Sequence, residues 1–395
     1  MAYPQLFVYL DQSAGQVFSE AFAVDISADV LEVRTKRGRN RLLNDFEAGT
    51  ATITVKDDSG DYNPANTSSP YYPLLPMQKM RVKIKGSDDF TATTIWTGYI
   101  NVVTTTFSQG VTSVDRVTFQ CYDAFRLLNN QVITTVAGAG VQLSGARVNA
   151  ILDQIGYPSS LGARTIQGGN VTLQADPGTS RQVLDALRTV QDSEQGAFFV
   201  AAGGELTFYD NSGLIGSSQQ GQNPGSGFDD NFYANAEVKF DDDILVNNVT
   251  VTRTGGTPQN VSNATSIAQY FVRNGTRDGV LVQTDAEALY IAKTLLNVLS
   301  DVSPRIDSVT INLNKFTDWL TPQFLISKEL MKGITITKAM PNAGSITVYD
   351  VVAGIEWRIA NNRYDVTYYT QENTVNALVL NDINMGRLDY NGLGN

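Results

Sequence analysis

The sequence predicts a mainly β protein with an α+β insert: two related β-barrel domains, a small α/β module inserted between them, and a peripheral helix. Three observations predict it. Apolar and polar residues alternate with period two in the first and last thirds of the chain. The middle changes to helical spacing. The first and last thirds also echo one another in the order and spacing of their strands.

Residues 1–130 read as the first β-barrel domain. Ala51–Val55, Met80–Ile84 and Val117–Cys121 each alternate, which gives a strand one wet face and one core face. Turn-rich segments punctuate them: Asp57–Gly60, Asn63–Pro64, then Pro70, Pro73 and Pro76. Residues 131–215 read as the α/β module. Ser144 is placed to cap a helix carrying Val148, Ile151, Leu152 and Ile155, closed by Gly156 and Pro158. Thr179 or Ser180 is placed to cap a second, with Val183, Leu184, Leu187 and Val190 on one face and Gly196 after it. Ala197–Ala201 and Leu206–Tyr209 flank Gly203–Gly204 and predict a hairpin.

Gly, Ser, Gln and Asn dominate residues 211–228, and a linker is expected over 216–235, with a surface-binding loop as the functional alternative. Residues 236–375 form the second β-barrel domain. Its strands are Val249–Thr252, Ile306–Leu313, Ile334–Thr337, Ile346–Val348, Ala353–Ile359 and Tyr364–Tyr369. Thr284 and Glu287 form a capping box that opens a helix near 285–300, with Leu289, Ala292, Leu296 and Leu299. The polar tail 376–395 is expected to dock on a neighbour.

The echo joins Met80–Lys85, Trp96–Asn101 and Arg116–Gln120 to Lys332–Thr337, Val352–Trp357 and Asp365–Tyr369. A further strand precedes each set, at Ala51 and at Ile306. Duplication is the simplest account. Three copies of a two-barrel chain present six similar units, so a ring of them suits a six-fold tube on one side and three-fold partners on the other.

Composition bounds the chemistry. Among 395 residues there are 40 Asp and Glu against 29 Lys and Arg, a formal charge of −11, which opposes binding to nucleic acid. One cysteine, Cys121, permits no intrachain disulfide and suits a reducing cytoplasm. With no histidine, Ser-His-Asp and Cys-His machinery and His-ligated metals are excluded. The start, MAYPQLFVYLDQS, lacks the pattern of a signal peptide, and no apolar run has membrane-spanning length.

Sharper sites read as ordinary structure. Asp57, Asp58, Ser59, Asp61 and Asn63 crowd one loop, but Gly60 is misplaced for an EF-hand and no Glu closes it. Asp241–Asp243 reads as a solvated strand entry, with a cation-binding or lumen-facing patch as the functional alternative. Glu47 is the most apolar-flanked acid and reads as a strand residue on the wet face, against a role in a glycosidase carboxylate pair. Gly138–Gly140 and Thr254–Gly256 complete neither a P-loop nor a dinucleotide fingerprint. Tyr71, Tyr72, Trp357, Tyr368 and Tyr369 read as core or interface aromatics rather than a sugar platform. The chain is therefore expected not to be an enzyme, with no catalytic, cofactor-binding or metal-binding residues and no cofactor.

Arg37–Arg39, Phe46–Val55, Asp61–Pro64 and Ser69–Tyr72, followed by Trp96–Ile100 and Cys121–Leu128, together resemble the opening of the baseplate hub and minor tail proteins of long-tailed bacteriophages. Ala150–Pro158, Ser193–Val200, Asn247–Arg253 and Gly354–Trp357 continue the resemblance, over roughly residues 30 to 370. It implies a homotrimeric structural hub at the virion tail tip, made and assembled in the host bacterial cytoplasm. Its partners would be copies of itself, the tail tube or distal tail protein, and tip or tail-fibre proteins. Genomic DNA would touch it only in passage through the lumen during ejection and host entry. The alternatives are a carbohydrate-binding or carbohydrate-hydrolysing tail-tip module and the hub of a non-phage contractile injection system. Some relatives add a peptidoglycan-cleaving domain, for which no stretch is left here.

Overall fold

Alternation becomes strands wherever one face can be buried. In the computed structural model, which describes residues 4–39, 45–86, 91–107, 115–219, 234–302, 305–316, 326–340, 344–360 and 363–372, the first β-rich stretch gives β1 (Gln5–Asp11), β2 (Ala23–Asp25), β3 (Val30–Gly38), β4 (Glu47–Lys56), β5 (Lys79–Lys85), β6 (Thr93–Thr106) and β7 (Arg116–Tyr122). Ala51, Ile53 and Val55 of β4 and Val117, Phe119 and Cys121 of β7 point into the core. Each large side chain so buried contributes about 1.5–3 kcal/mol.

The insert contains α1 (Phe125–Asn129), β8 (Val132–Ile133), β9 (Gln142–Leu143), α2 (Ser144–Gln154), β10 (Arg164–Ile166), β11 (Thr172–Leu173), β12 (Arg181–Gln182), α3 (Val183–Glu194), β13 (Ala197–Val200), β14 (Leu206–Tyr209) and α4 (Asn211–Gln219). The expected hairpin is the antiparallel β13–β14 pair. The expected helices are α2 and α3, but neither has the cap read from the sequence. The Ser144 hydroxyl lies inside α2 and donates to Glu194 of α3 at 2.7 Å. Helix α3 begins at Val183, past Thr179 and Ser180. Residues 211–219 are helical, so the expected linker starts as a helix; its remainder over 220–233 and the tail 376–395 lie outside the described residues.

The last stretch contains β15 (Asn235–Lys239), β16 (Asn248–Arg253), β17 (Gln259–Ser262), α5 (Ala264–Tyr270), β18 (Asn274–Val280), α6 (Asp285–Leu299), β19 (Arg305–Asn312), β20 (Gly333–Met340), β21 (Gly344–Ala360) and β22 (Arg363–Glu372). Two expected strands, at 346–348 and 353–359, are one continuous β21. Helix α6 packs on the sheet β17-β16-β18 around Val249, Val251, Val280, Ala288 and Ile291, a core separate from the main one. Its capping box is complete: the Thr284 hydroxyl accepts from Glu287 N, and the Glu287 carboxylate accepts from Thr284 N. Thr284→Ala should cost about 1 kcal/mol, read as roughly fivefold faster amide exchange across α6.

The two β-rich stretches form one sheet of 12 strands among the described residues, in the order β15-β19-β22-β21-β3-β4-β7-β6-β5-β1-β2, with β20 also paired to β21. They meet where β3 pairs antiparallel with the second half of β21, from Gly38 opposite Gly354 to Glu32 opposite Ala360. Among the described residues the pairings do not close on themselves, so the two expected barrels are seen there as two halves of one continuous sheet with no closed barrel.

The halves repeat in detail. Pairings β3·β4, β4·β7, β7·β6 and β6·β5 recur as β15·β19, β19·β22, β22·β21 and β21·β20. Strands β6 and β21 both change partner midway and both break register just beyond that point, between Ile100 and Val102 and between Val352 and Gly354. Met77 N donates to Ile100 O at 2.7 Å, as Met331 N donates to Val352 O at 2.8 Å. Met77 and Met331 share a left-handed backbone, at φ 72° and 61°. The cross-strand pair Thr54–Thr118 recurs as Thr310–Thr367. These registers align Ile100 with Val352, so Gly354 corresponds to Val102 and not to Gly98. Each glycine answers a different crowding: a Cβ on Gly98 would meet Tyr122 O at 2.4 Å, and one on Gly354 would meet Arg39 O at 2.6 Å.

Candidate functional site

Strand β3 turns Val33, Thr35 and Arg37 inward, so Arg37 is a buried cation that needs partners. Its Nη1 lies 2.7 Å from Glu329 Oε1 and 3.4 Å from Val200 O. Glu329 Oε2 accepts from Ala202 N at 2.9 Å. One ion pair thus ties the first half-sheet, the insert and the second half-sheet together. Asp123 is buried nearby, accepting from Gly49 N at 2.6 Å and Phe125 N at 3.0 Å. Burial pushes its carboxyl up to about 7, against the pull of those N–H groups and of Arg37. Both oxygens are held by backbone donors, which makes Asp123 a structural acid. The sequence reading passed over it, although an Asp two residues before Phe125, ahead of Leu127 and Leu128, is a local signature of a helix entry.

The residues singled out from the sequence do not converge. In the 57–63 loop, Asp57 accepts from Tyr62 N, Ser59 donates to Asp61, and Asn63 accepts from Ala65 N, so the oxygens are spent on the loop itself. Among the described residues no three His, Cys, Asp or Glu side chains gather as a metal-ligand set. Asp241 pairs with Arg305 at 2.6 Å, a hydrogen bond that holds its carboxyl below the usual range, and Asp242 pairs with Arg273. Glu47 is exposed at the start of β4. The Gly138–Gly140 segment offers carbonyls to Arg147, with Gly140 O at 2.8 Å, rather than N–H groups to a phosphate. Gly256 N closes a tight turn onto Arg253 O. Trp357 and Tyr368 are core, Tyr369 donates to Glu356, Tyr71 stacks on Tyr62, and only Tyr72 of this set is strongly exposed. These aromatics form no common platform. No helix among the described residues is long and apolar enough to cross a membrane.

What remains open is sheet edge. Among the described residues, residues 101–106 of β6 pair with β7 on one side only, and β15 pairs only with β19. Beside the β6 edge lies a cavity of about 260 Å³, lined by Met77, Tyr99, Ile100, Asn101, Tyr122 and Arg126 among others. Unpaired N–H and C=O groups of this kind are templates for another strand.

No protein-family model and no curated protein matches the sequence. Solved structures do match the fold. A 43 kDa tail protein of prophage MuSo2 from Shewanella oneidensis is similar with a TM-score of 0.60 at 10% identity, over 94% of this chain and 99% of that one. A tail protein from Neisseria meningitidis MC58 is similar at 0.57 and 12%, over 93% and 96%. Prophage tail protein gp18 from Listeria monocytogenes EGD-e is similar at 0.51 and 9%, over 92% and 94%. The chain therefore has the fold of these phage tail proteins over more than nine-tenths of its length.

Proposed function

We propose that this chain is a non-catalytic structural component of a phage tail, the baseplate hub at its distal end. Three copies form a ring of six similar half-sheets. One side of that ring seats on the six-fold tail tube or distal tail protein, and the other carries tip or fibre proteins. The stretches 1–130 and 236–375 build the wall, 131–215 forms a module on it, and the tail 376–395 docks on a neighbour. Genomic DNA passes through the lumen at ejection. The observation that supports this reading is the duplication within a fold shared over 94% of the chain with a phage tail protein: the same strand pairings, register break and left-handed methionine occur twice. A chain that contains its own two-fold repeat supplies six units from three copies.

The charge supports a conduit. With 40 acidic against 29 basic residues, the wall repels phosphate and does not stall a moving duplex. Native mass measurement of the purified protein, with cryo-microscopy of intact particles, tests the proposal. The expected result is a trimer at the tail tip with carboxylates outnumbering Lys and Arg on the lumen surface. A stable monomer absent from the tail tip overturns it.

A further inference from the structure

The repeat contains one inequality. The second half of β21 is paired on both sides, with β22 and with β3. Its counterpart, the second half of β6, has β7 on one side and nothing described on the other. Burial follows the pairing. In β21, Ala353, Gly354, Ile355, Trp357 and Ile359 are buried, whereas the corresponding residues 101–106 of β6, and Phe107 just after it, are all exposed or half-exposed. The strand that fills this place on β21 is β3, and the counterpart of β3 is β15, which among the described residues also pairs on one side only.

The registers define how the two free edges fit. Val33 and Arg34 lie opposite Ile359 and Arg358. Transferred through the repeat, Ala236 falls opposite Phe107 and Glu237 opposite Thr106, with Thr104 opposite Lys239 further along. Val103, Thr105 and Phe107 then share one face with Ala236, Val238 and Phe240. Phe107 and Phe240 are 71% and 69% exposed, while their counterparts Ile359 and Arg37 are 3% and 4% exposed. Two large aromatic side chains, one on each free edge, stand where the repeat buries a residue.

The cavity beside β6 agrees. Its counterpart in the second half is occupied by the end of β3, where Arg39 N donates to Ala353 O and Arg39 Nε to Gln371 at 2.9 Å. Ala353 and Gln371 correspond to Asn101 and Tyr122, which line the cavity. Past the end of β15, the residue corresponding to Arg39 is Asp242, within the run Asp241–Asp243. The exposed Arg126, which lies over the Tyr122 ring, is there to meet it. Asp242 already pairs with Arg273, so Arg126 would join an existing ion pair.

We infer that successive copies of this chain join by antiparallel strand pairing, the free edge of β6 beyond Ile100 receiving β15 of the next copy, with Thr106 opposite Glu237. The inference rests on the ring reading above only in taking the partner to be a second copy. It converts these two edges into sheet interior.

The test is a paired-cysteine variant of the full chain, T106C with E237C. Residues directly opposite on antiparallel strands stand about 4.5–5.5 Å apart at Cα, within disulfide reach. The native Cys121 is buried and does not compete. Oxidation should give interchain disulfides ending at a covalent trimer. T105C with E237C, whose side chains point to opposite faces, should give none. F107E and F240E, both changes at exposed positions, should each shift the protein to monomer mass with unchanged circular dichroism. An assembly of trimer mass without the T106C–E237C disulfide, or one that links both cysteine pairs equally, overturns the edge pairing and leaves the ring reading standing. A disulfide ladder longer than three keeps the pairing and overturns the closed ring. A monomer with no disulfide overturns both.

Discussion

Replacing Lys79 by methionine should cost about 4 kcal/mol of stability, because it strands a buried carboxylate. Lys79 begins β5 with its side chain 2% exposed, and Asp11, opposite it on β1, is 0% exposed. Lys79 Nζ lies 3.2 Å from Asp11 Oδ2 and also reaches Ser13 O at 2.8 Å, Ser13 Oγ at 3.0 Å and Gly15 O at 3.1 Å. Asp11 in turn accepts from Ser13 N and Ser19 N, both at 2.7 Å. Burial raises the Asp11 carboxyl, but the bonds from Ser13 and Ser19 and the Lys79 charge outweigh it and hold it below the usual range. A depressed carboxyl contributes stability that is present above its unfolded pKa and lost as pH falls through the folded value. K79M should therefore lower urea stability at neutral pH and flatten the acid limb. The double variant D11N/K79M should be more stable than K79M, since removing both charges leaves no uncompensated ion. A K79M protein within 1 kcal/mol of the parent would show that water reaches the pair and screens it.

Lys79 also shows where sequence reading stops. The strand it begins was legible from the alternation Met80–Ile84, because one face of β5 is wet and the other dry. That Lys79 itself is buried was not, because its partners lie 64 to 68 residues back along the chain. Arg37 is a stronger case: its partner Glu329 is 292 residues away. The capping box at Thr284 was legible because both its bonds span three residues. The cap at Ser144 was misread because its hydroxyl finds Glu194, fifty residues on. The repeat was legible as an order of strands, but its alignment was not. The eye pairs Gly98 with Gly354, while the hydrogen bonds pair the partner-change points at Ile100 and Val352. The left-handed methionines that mark those points have no sequence signature, since glycine is the usual residue there. The fusion of two expected barrels into one sheet depends on β3 meeting β21, a contact with no local trace.

Between pH 5 and 8 the protein should lose about 3 kcal/mol of stability, and Asp123→Asn should remove most of that slope. The sign follows from burial. An unfolded aspartate titrates near 3.9, whereas Asp123 in the fold is raised to about 7 by desolvation. The folded state therefore holds the proton more tightly. The stability from this group is fully present below about pH 4, falls as pH rises toward 7, and is constant above. The window is unusually clean, because the chain has no histidine to titrate within it. Asp57 and Asp192 are also raised by burial and act in the same direction, so the difference between parent and variant isolates Asp123. Urea midpoints at pH 5, 6, 7 and 8 measure it. Equal slopes in parent and D123N would mean that Gly49 N, Phe125 N and Arg37 together keep the carboxylate ionised throughout. The location gives the slope its consequence. Asp123 joins Gly49 of β4 to the first turn of α1, at the point where the sheet hands over to the insert. Ionisation should therefore loosen that joint first, and amide exchange at Gly49 and Phe125 should quicken between pH 5 and 8 more than exchange at α6, which has its own core.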